Sequence, residues 1–369
     1  MQFKGSNRFS HKQPERLGIL ITNLGTPDAP TTPALRRYLG EFLADPRVVE
    51  LPRPLWWLIL HGIILRIRPK RSASSYRSIW QPEGSPLLIH TANQAEGLRE
   101  ALTRKYGSNL IVGFAMRYGN PSIPKVLDEM QQQGVRKLLV LPLYPQYSAS
   151  TSASTFDAIA QDFAKRRWLP DYRFVSHYAD FPPYIEAMAS HIEAHWEKHG
   201  RHQKLILSYH GVPLKYLMKG DPYHCECHKT SRLLAERLGL HEDDYMTTFQ
   251  SRFGKEEWLQ PYTDQTLKSL PGAGVESVDV FCPGFSSDCL ETIEEIDVEN
   301  RGYFEAAGGK AFSYISALNA TPGHIAALTR LIEDNIQGWQ VPENTPETLA
   351  TRHQLAEERK EKTYPGRDL

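Results

Sequence analysis

Three short motifs recur in the same order in the two halves of this chain, each directly after an apolar run. Ile19-Leu-Ile-Thr-Asn-Leu-Gly-Thr-Pro27 is echoed by Leu205-Ile-Leu-Ser-Tyr-His-Gly-Val-Pro213. Met116-Arg-Tyr-Gly119 is matched by Ser251-Arg-Phe-Gly254, and Pro145-Gln-Tyr-Ser148 by Pro283-Gly-Phe-Ser286. Any one pair could arise by chance, but an ordered set of three implies two related structural units. The interval from the second motif to the third is similar in both halves (Arg117 to Pro145, Arg252 to Pro283). The interval from the first to the second is much longer in the first half (Gly25 to Arg117 against Gly211 to Arg252). The surplus contains the longest apolar run, Pro54 to Leu65.

The runs themselves indicate the class of fold. Candidate strands are Leu17–Leu24, Leu110–Met116, Lys137–Leu143, Arg173–His177, Lys204–Tyr209, Tyr245–Gln250, Ser277–Cys282 and Ala311–Ile315. They alternate with amphipathic stretches expected to be helical: Thr32–Leu43, Leu87–Tyr106, Ser122–Gln133, Ser152–Arg167, Tyr184–His199, His224–Leu238, Asp264–Leu270, Asp288–Glu305 and Pro322–Gln337. That rhythm argues for an α/β protein with parallel sheets covered by helices on both faces. The expected division is a first α/β domain over 17–170 with an apolar insertion at 51–86, and a second over 171–321. A helix at 322–337 would return to the first domain, and a polar tail at 341–369 would be a surface helix or unstructured. Ligands of such sheets bind beyond the carboxyl ends of the strands. All six motifs lie there, so two facing halves would direct them into one cleft.

Lysine plus arginine and aspartate plus glutamate balance at 43 each in 369 residues, giving the chain as a whole no electrostatic reason to bind nucleic acid. No Gly-x-Gly-x-x-Gly or Gly-Lys-Ser/Thr loop follows a strand, which argues against a nucleotide enzyme. The polar, basic start at 1–15 carries no secretory signal, so a reducing cytoplasm is the expected location. Four cysteines form no Cys-x-x-Cys pair; Cys225 and Cys227 are separated by one residue, while Cys282 and Cys289 stand apart. A zinc or iron–sulfur site is therefore poorly supported. The run Pro54–Leu65, broken by His61 and Gly62, is shorter than the roughly 20 apolar residues a membrane-spanning helix needs. Arg66, Arg68, Lys70 and Arg71 follow it. Apolar bulk with a basic hem suits either a buried helix or one that lies on a bilayer or over a greasy ligand.

Two features could carry chemistry. His210 ends a strand and precedes Gly211, so its imidazole points towards the cleft, where it could act as a base, ligate a metal or simply cap the next turn. Glu291, Glu295 and Glu299 recur at steps of four. On an ideal helix such a row drifts by about 40° per step, and a wider π-type turn would straighten it. The row reads either as a solvated acidic face or as a line of hard oxygen ligands for a weakly held divalent cation.

Together these motifs resemble the ferrochelatase family, over most of the chain from Leu17 to about Gln337. Ser208-Tyr-His-Gly-Val-Pro213, Gly220-Asp-Pro-Tyr223 and Pro283-Gly-Phe-Ser-Ser-Asp-Cys-Leu-Glu-Thr-Ile-Glu-Glu-Ile296 look like its signature region. Asn23-Leu-Gly25, Gly84-Ser-Pro86, Pro142-Leu-Tyr-Pro-Gln-Tyr147 and Gln250-Ser-Arg-Phe-Gly254 match as well. The resemblance implies two similar doubly wound domains around a porphyrin cleft, and insertion of Fe²⁺ into protoporphyrin IX to form protohaem. It implies that His210 and Glu291 face one another across the macrocycle, with Glu295 and Glu299 as a metal path. Leu24, Tyr76, Ser85, Arg117, Tyr118 and Tyr147 would bind the porphyrin, and the Trp56–Leu65 insertion would be the apolar lip that covers it and touches membrane. Fe²⁺ is substrate, and no tightly bound cofactor is expected. Cys289 stands where some members have histidine, and no cysteine follows it, so the C-terminal [2Fe-2S] centre of animal members is excluded. A sibling chelatase with another metal or tetrapyrrole, or a non-catalytic tetrapyrrole carrier, would fit the same cleft. A monomer and a dimer through the lip both fit.

Overall fold

A strand buried on both faces must be apolar almost continuously, and the runs that begin each half meet that condition. A computed structural model describes residues 3–5, 10–254, 256–340 and 344–366. Leu17, Ile19, Leu20 and Ile21 are fully buried in β1 (Arg16–Thr26), and Ile206, Leu207 and Tyr209 in β5 (Lys204–His210). The first half continues through α1 (Thr32–Ala44), α2 (Arg53–Ile59), α3 (Leu65–Ile79), α4 (Pro86–Tyr106), β2 (Leu110–Gly119), α5 (Ile123–Gln132), β3 (Val135–Pro142), α6 (Ser154–Phe163) and β4 (Asp171–Phe174). After α7 (Pro182–His199), the second half has β5, α8 (Leu214–Met218), α9 (Tyr223–Leu238), β6 (Tyr245–Gln250), α10 (Thr263–Ser269), β7 (Ser277–Phe281), α11 (Arg301–Ala306) and β8 (Ala311–Ile315). Two further helices, α12 (Pro322–Asn335) and α13 (Pro346–Thr363), follow.

The two sheets have the same topology. Their orders are β2-β1-β3-β4 and β6-β5-β7-β8, all pairs parallel. The three repeated motifs thus occupy the carboxyl ends of topologically equivalent strands, as the repeat predicts. One boundary moves. β4 pairs with β3, so the first sheet runs past residue 170, where the sequence placed the division between domains. Four half-buried or exposed residues make this edge strand, too short a signal to assign to either half.

α12 packs on both α4 and α7, returning the end of the chain to the first sheet. Beyond it, α13 is an exposed helix without a buried residue. The ends of the expected tail, 341–343 and 367–369, lie outside the described residues.

The surplus segment of the first half builds its own small core. Leu35, Tyr38, Leu39, Trp56, Leu60, Leu65, Tyr76 and Tyr118 pack together, with Leu24, Leu290 and Ile293 against them. Trp56 anchors α2 by donating its indole N–H to the Leu43 carbonyl at 2.6 Å. A π-helical turn, Leu60–Ile64, carries His61 and Gly62 between α2 and α3. The opposite face is bare: Leu55, Trp57, Leu58, Ile63 and Ile67 are 53–70% exposed. The segment thus has one buried face and one exposed apolar face. Among the described residues no helix is long and apolar enough to cross a membrane.

Candidate active site

His210 is the last residue of β5, half-buried and opposite Gln250 of β6. The chain turns at Gly211, whose N–H donates to the Gln250 carbonyl at 2.7 Å. A Cβ there would lie 2.7 Å from that same oxygen, so only glycine lets the two backbones approach. The His210 Nδ1 lies 2.6 Å from the Gly211 carbonyl oxygen. A carbonyl only accepts, so Nδ1 carries a proton, and of the two tautomers this contact selects the one whose lone pair is on Nε2. The His210 carbonyl in turn accepts from the Tyr223 hydroxyl at 2.9 Å. The ring is thus held as the tautomer a base or metal ligand requires.

Gln250 connects this strand to the acidic helix. Its side-chain N–H₂ donates to the Glu291 backbone carbonyl at 2.9 Å, and its Oε1 accepts from Ser208 at 2.8 Å. Glu291 opens a ten-residue π-helix, Glu291–Asn300, the wider winding that the four-residue spacing of glutamates called for. Glu291 and Glu295 are partly buried and Glu299 is exposed, so the row runs from the interior to the surface. Asp288 is a structural anchor for this helix. Its buried carboxylate accepts from Tyr314 at 2.6 Å, Asn319 at 2.7 Å, and Thr292 and the Ala317 N–H at 3.1 Å.

Burial pushes the Glu295 carboxyl up to about 7; the Ser251 hydroxyl opposes this, and the charges of Glu291 and Glu299 reinforce it. Ser251 donates to Glu295 at 2.5 Å from a left-handed backbone conformation, φ 67°, which is uncommon for a residue with a side chain. Tyr38 and Tyr76 are held far above the usual phenol range by burial first, with the Glu291 charge adding to it. Both therefore lie near Glu291, as does Arg68, whose pKa burial lowers while Glu291 opposes the shift.

Leu24, Tyr76 and Tyr118 belong to the core of the lip segment, together with Leu290 and Ile293, which flank Glu291. Arg117 and the hydroxyl of Tyr118 converge on Asp45. The Arg117 guanidinium reaches it at 2.6 Å, the Tyr118 hydroxyl at 2.8 Å and the Ser154 hydroxyl at 2.6 Å. Burial alone would raise the pKa of Asp45, but these donors, the Arg47 N–H and the Arg117 charge hold it below the ordinary carboxylate value. Tyr118 is 1% exposed, with its hydroxyl in this network. Ser85 is buried as the N-cap of α4, accepting from Leu88 N–H at 3.3 Å. Tyr147 is half-buried after β3, near the Arg47–Asp157 ion pair and Asp221.

Sequence reasoning missed Tyr38, Asp45 and Gln250. Tyr38 was within reach, because it continues the buried face Ala34, Leu35, Tyr38, Leu39 of α1 at helical spacing. The four cysteines are free; Cys225 is exposed on α9 and Cys227 buried beneath it, so the two do not present a common face.

Relatives and structural neighbours agree with this architecture. A SirB from Bacillus subtilis solved with Fe³⁺ superposes with a TM-score of 0.50 at 12% identity, over 87% of this chain and 96% of that one; this supports the fold alone. A ferrochelatase of Marinobacter nauticus is 76% identical, covering 100% of this chain and 99% of its own length. A ferrochelatase of Idiomarina loihiensis is 63% identical over 100% of both. The ferrochelatase family pattern spans residues 16–336, which takes in both sheets, the lip segment, His210 and the acidic π-helix. With the doubled sheet and these strand-end motifs, that match places the chain in the ferrochelatase family.

Proposed function

We propose that this chain, a metal chelatase by family, inserts Fe²⁺ into protoporphyrin IX with His210 as the principal base and Glu291 as the group that hands over the metal. The porphyrin loses two pyrrole protons as Fe²⁺ enters the ring. A neutral imidazole with a free Nε2 accepts a proton at physiological pH. A carboxylate opposite it replaces water on the metal and guides it to the nitrogens, and Glu295 and Glu299 extend that path outward. One observation carries this reading: Nδ1–H of His210 is committed to the Gly211 carbonyl, on a strand that Gln250 ties to the backbone of Glu291. The test is loss of porphyrin fluorescence on anaerobic addition of Fe²⁺. Folded His210→Ala protein that inserts iron at the wild-type rate overturns the assignment.

Leu24, Tyr76 and Tyr147 serve as walls of the porphyrin site, while Arg117 and Tyr118 stiffen its first-half side through Asp45. The bare apolar face of the lip, beside Arg66, Arg68, Lys70 and Arg71, fits peripheral contact with an anionic bilayer. This supports a protein that works at the inner face of the membrane.

A further inference from the structure

The segment Gln146–Ala149 leaves the carboxyl end of β3 and carries Tyr147, yet its polar groups are held largely by the other half. The Tyr147 N–H donates to one oxygen of Glu226 at 2.7 Å. The Ala149 N–H and the Ser148 hydroxyl donate to one oxygen of Asp221, at 2.7 and 3.2 Å. Gln146 donates to the Thr230 hydroxyl at 3.0 Å. Glu226 and Thr230 lie on α9, and Asp221, two residues before its start, accepts the Tyr223 N–H at 3.0 Å.

Acidic residues at a helix start ordinarily read as favourable partners of its dipole. That accounts for one Asp221 oxygen but not for the other, nor for Glu226. The second oxygen of Glu226 pairs with His177 Nδ1 at 2.7 Å, so the carboxylate is stretched between the β4–α7 connection and the backbone of Tyr147. Tyr223, one turn before Glu226, supports the His210 carbonyl. The start of α9 therefore touches the backbone of the residue read as base and the backbone of the opposing wall.

We propose that Glu226, with Asp221, is a positioning residue for the reaction: it fixes the Tyr147 wall of the first half at a set distance from His210 in the second, and so sets the width of the porphyrin gap. This rests on the roles given above to Tyr147 and His210.

The chemistry of the two carboxylates makes unequal predictions. A glutamine at 226 can still accept from the Tyr147 N–H through its oxygen and donate to His177 through its amide. An asparagine at 221 has one oxygen to serve donors on two sides, and must lose one.

The experiment is porphyrin binding by fluorescence titration, beside iron-insertion kinetics, on variants whose melting shows them folded. Glu226→Ala should raise the porphyrin Kd and KM about tenfold, the loss of one charge-assisted hydrogen bond, with the KM for Fe²⁺ unchanged. Glu226→Gln should return to within about twofold of wild type. Glu226→Asp keeps the charge but shortens the reach, and should behave like the alanine variant. Asp221→Asn should remain impaired. Wild-type porphyrin binding by Glu226→Ala or Glu226→Asp overturns the proposal, as does a glutamine variant as poor as alanine. The reading of His210 fails separately: His210→Ala that binds porphyrin and still inserts iron refutes the base and leaves the binding result for Glu226 intact.

Discussion

The two halves of this molecule share one strand order and one set of motifs, yet place different chemistry at each equivalent point. Before the glycine of the shared Gly-x-Pro motif, the first half has Leu24 of β1 and the second has His210, the last residue of β5. After β3 the chain winds through a short π-turn of small residues, Ala149–Ala153; after β7 it winds through the ten-residue acidic π-helix Glu291–Asn300. Arg117 is half-buried against the buried Asp45, whereas its counterpart Arg252 is exposed, 3.2 Å from Asp264. The first half keeps apolar walls and a neutralised ion pair; the second keeps an imidazole and carboxylates within reach of solvent. A flat, greasy substrate needs the former and proton and metal transfer the latter. On the proposed function, the duplicated scaffold separates the two tasks.

The sharpest way to break that comparison is to make the second half resemble the first. His210→Leu should cut iron insertion by about 10²–10⁴-fold, the usual value of a positioned base, while porphyrin binding measured by fluorescence persists. Leucine is of similar bulk and places no charge in the gap, so loss of binding as well would mean that His210 holds the ligand rather than acting on it.

The ion pair of the first half, around the buried Asp45, comes next. Asp45→Ala leaves Arg117 without its carboxylate and Tyr118 and Ser154 without an acceptor, and should cost about 3–5 kcal/mol in urea unfolding. The equivalent change in the second half, Asp264→Ala, should cost less than about 1 kcal/mol, because that pair is open to solvent. Equal costs would erase the distinction drawn between the halves.

Glu295 sharpens it through pH. Its folded pKa of about 7 lies above the ordinary carboxyl value of 4.5, so the folded state binds the extra proton between these values. Stability therefore falls as pH rises from about 4.5 to 7 and changes no further from this group above that. Glu295→Gln should match wild type near pH 4 and exceed it at pH 8 by an amount on the order of 3 kcal/mol. Parallel melting curves across that range would show that the carboxyl is not strained by its burial.

Much of this was legible in the linear order of residues. The inner strands β1, β3, β5 and β7 were visible as apolar runs because parallel strands covered on both faces leave little polar alternation to blur them, whereas the edge strand β4, Asp171–Phe174 with no buried residue, was placed two residues late at Arg173–His177. The duplicated topology was visible because its motifs recur at strand ends. The helix expected over Ser152–Arg167 was less well resolved: it opens earlier, with the π-turn at Ala149, and stops at Phe163. Small residues such as Ala149-Ser-Thr-Ser-Ala153 give no apolar period with which to place a first turn. The lip was legible as an insertion but not as a two-faced one, since Trp56 and Trp57 are chemically alike and only packing makes one buried and the other exposed.

Local order thus dictated the strands, the doubled plan, the strand-end histidine and the wide acidic helix, because each depends on neighbours a few residues apart. Tertiary folding alone decided which charges are neutralised and what holds the site in register. Asp45 meets Arg117 and Ser154 across 72 and 109 residues, and Glu226 meets Tyr147 across 79. A carboxylate carries no mark of its distant partner. Whether it becomes an anchor or a ligand depends on which backbone and side-chain donors the fold brings to it.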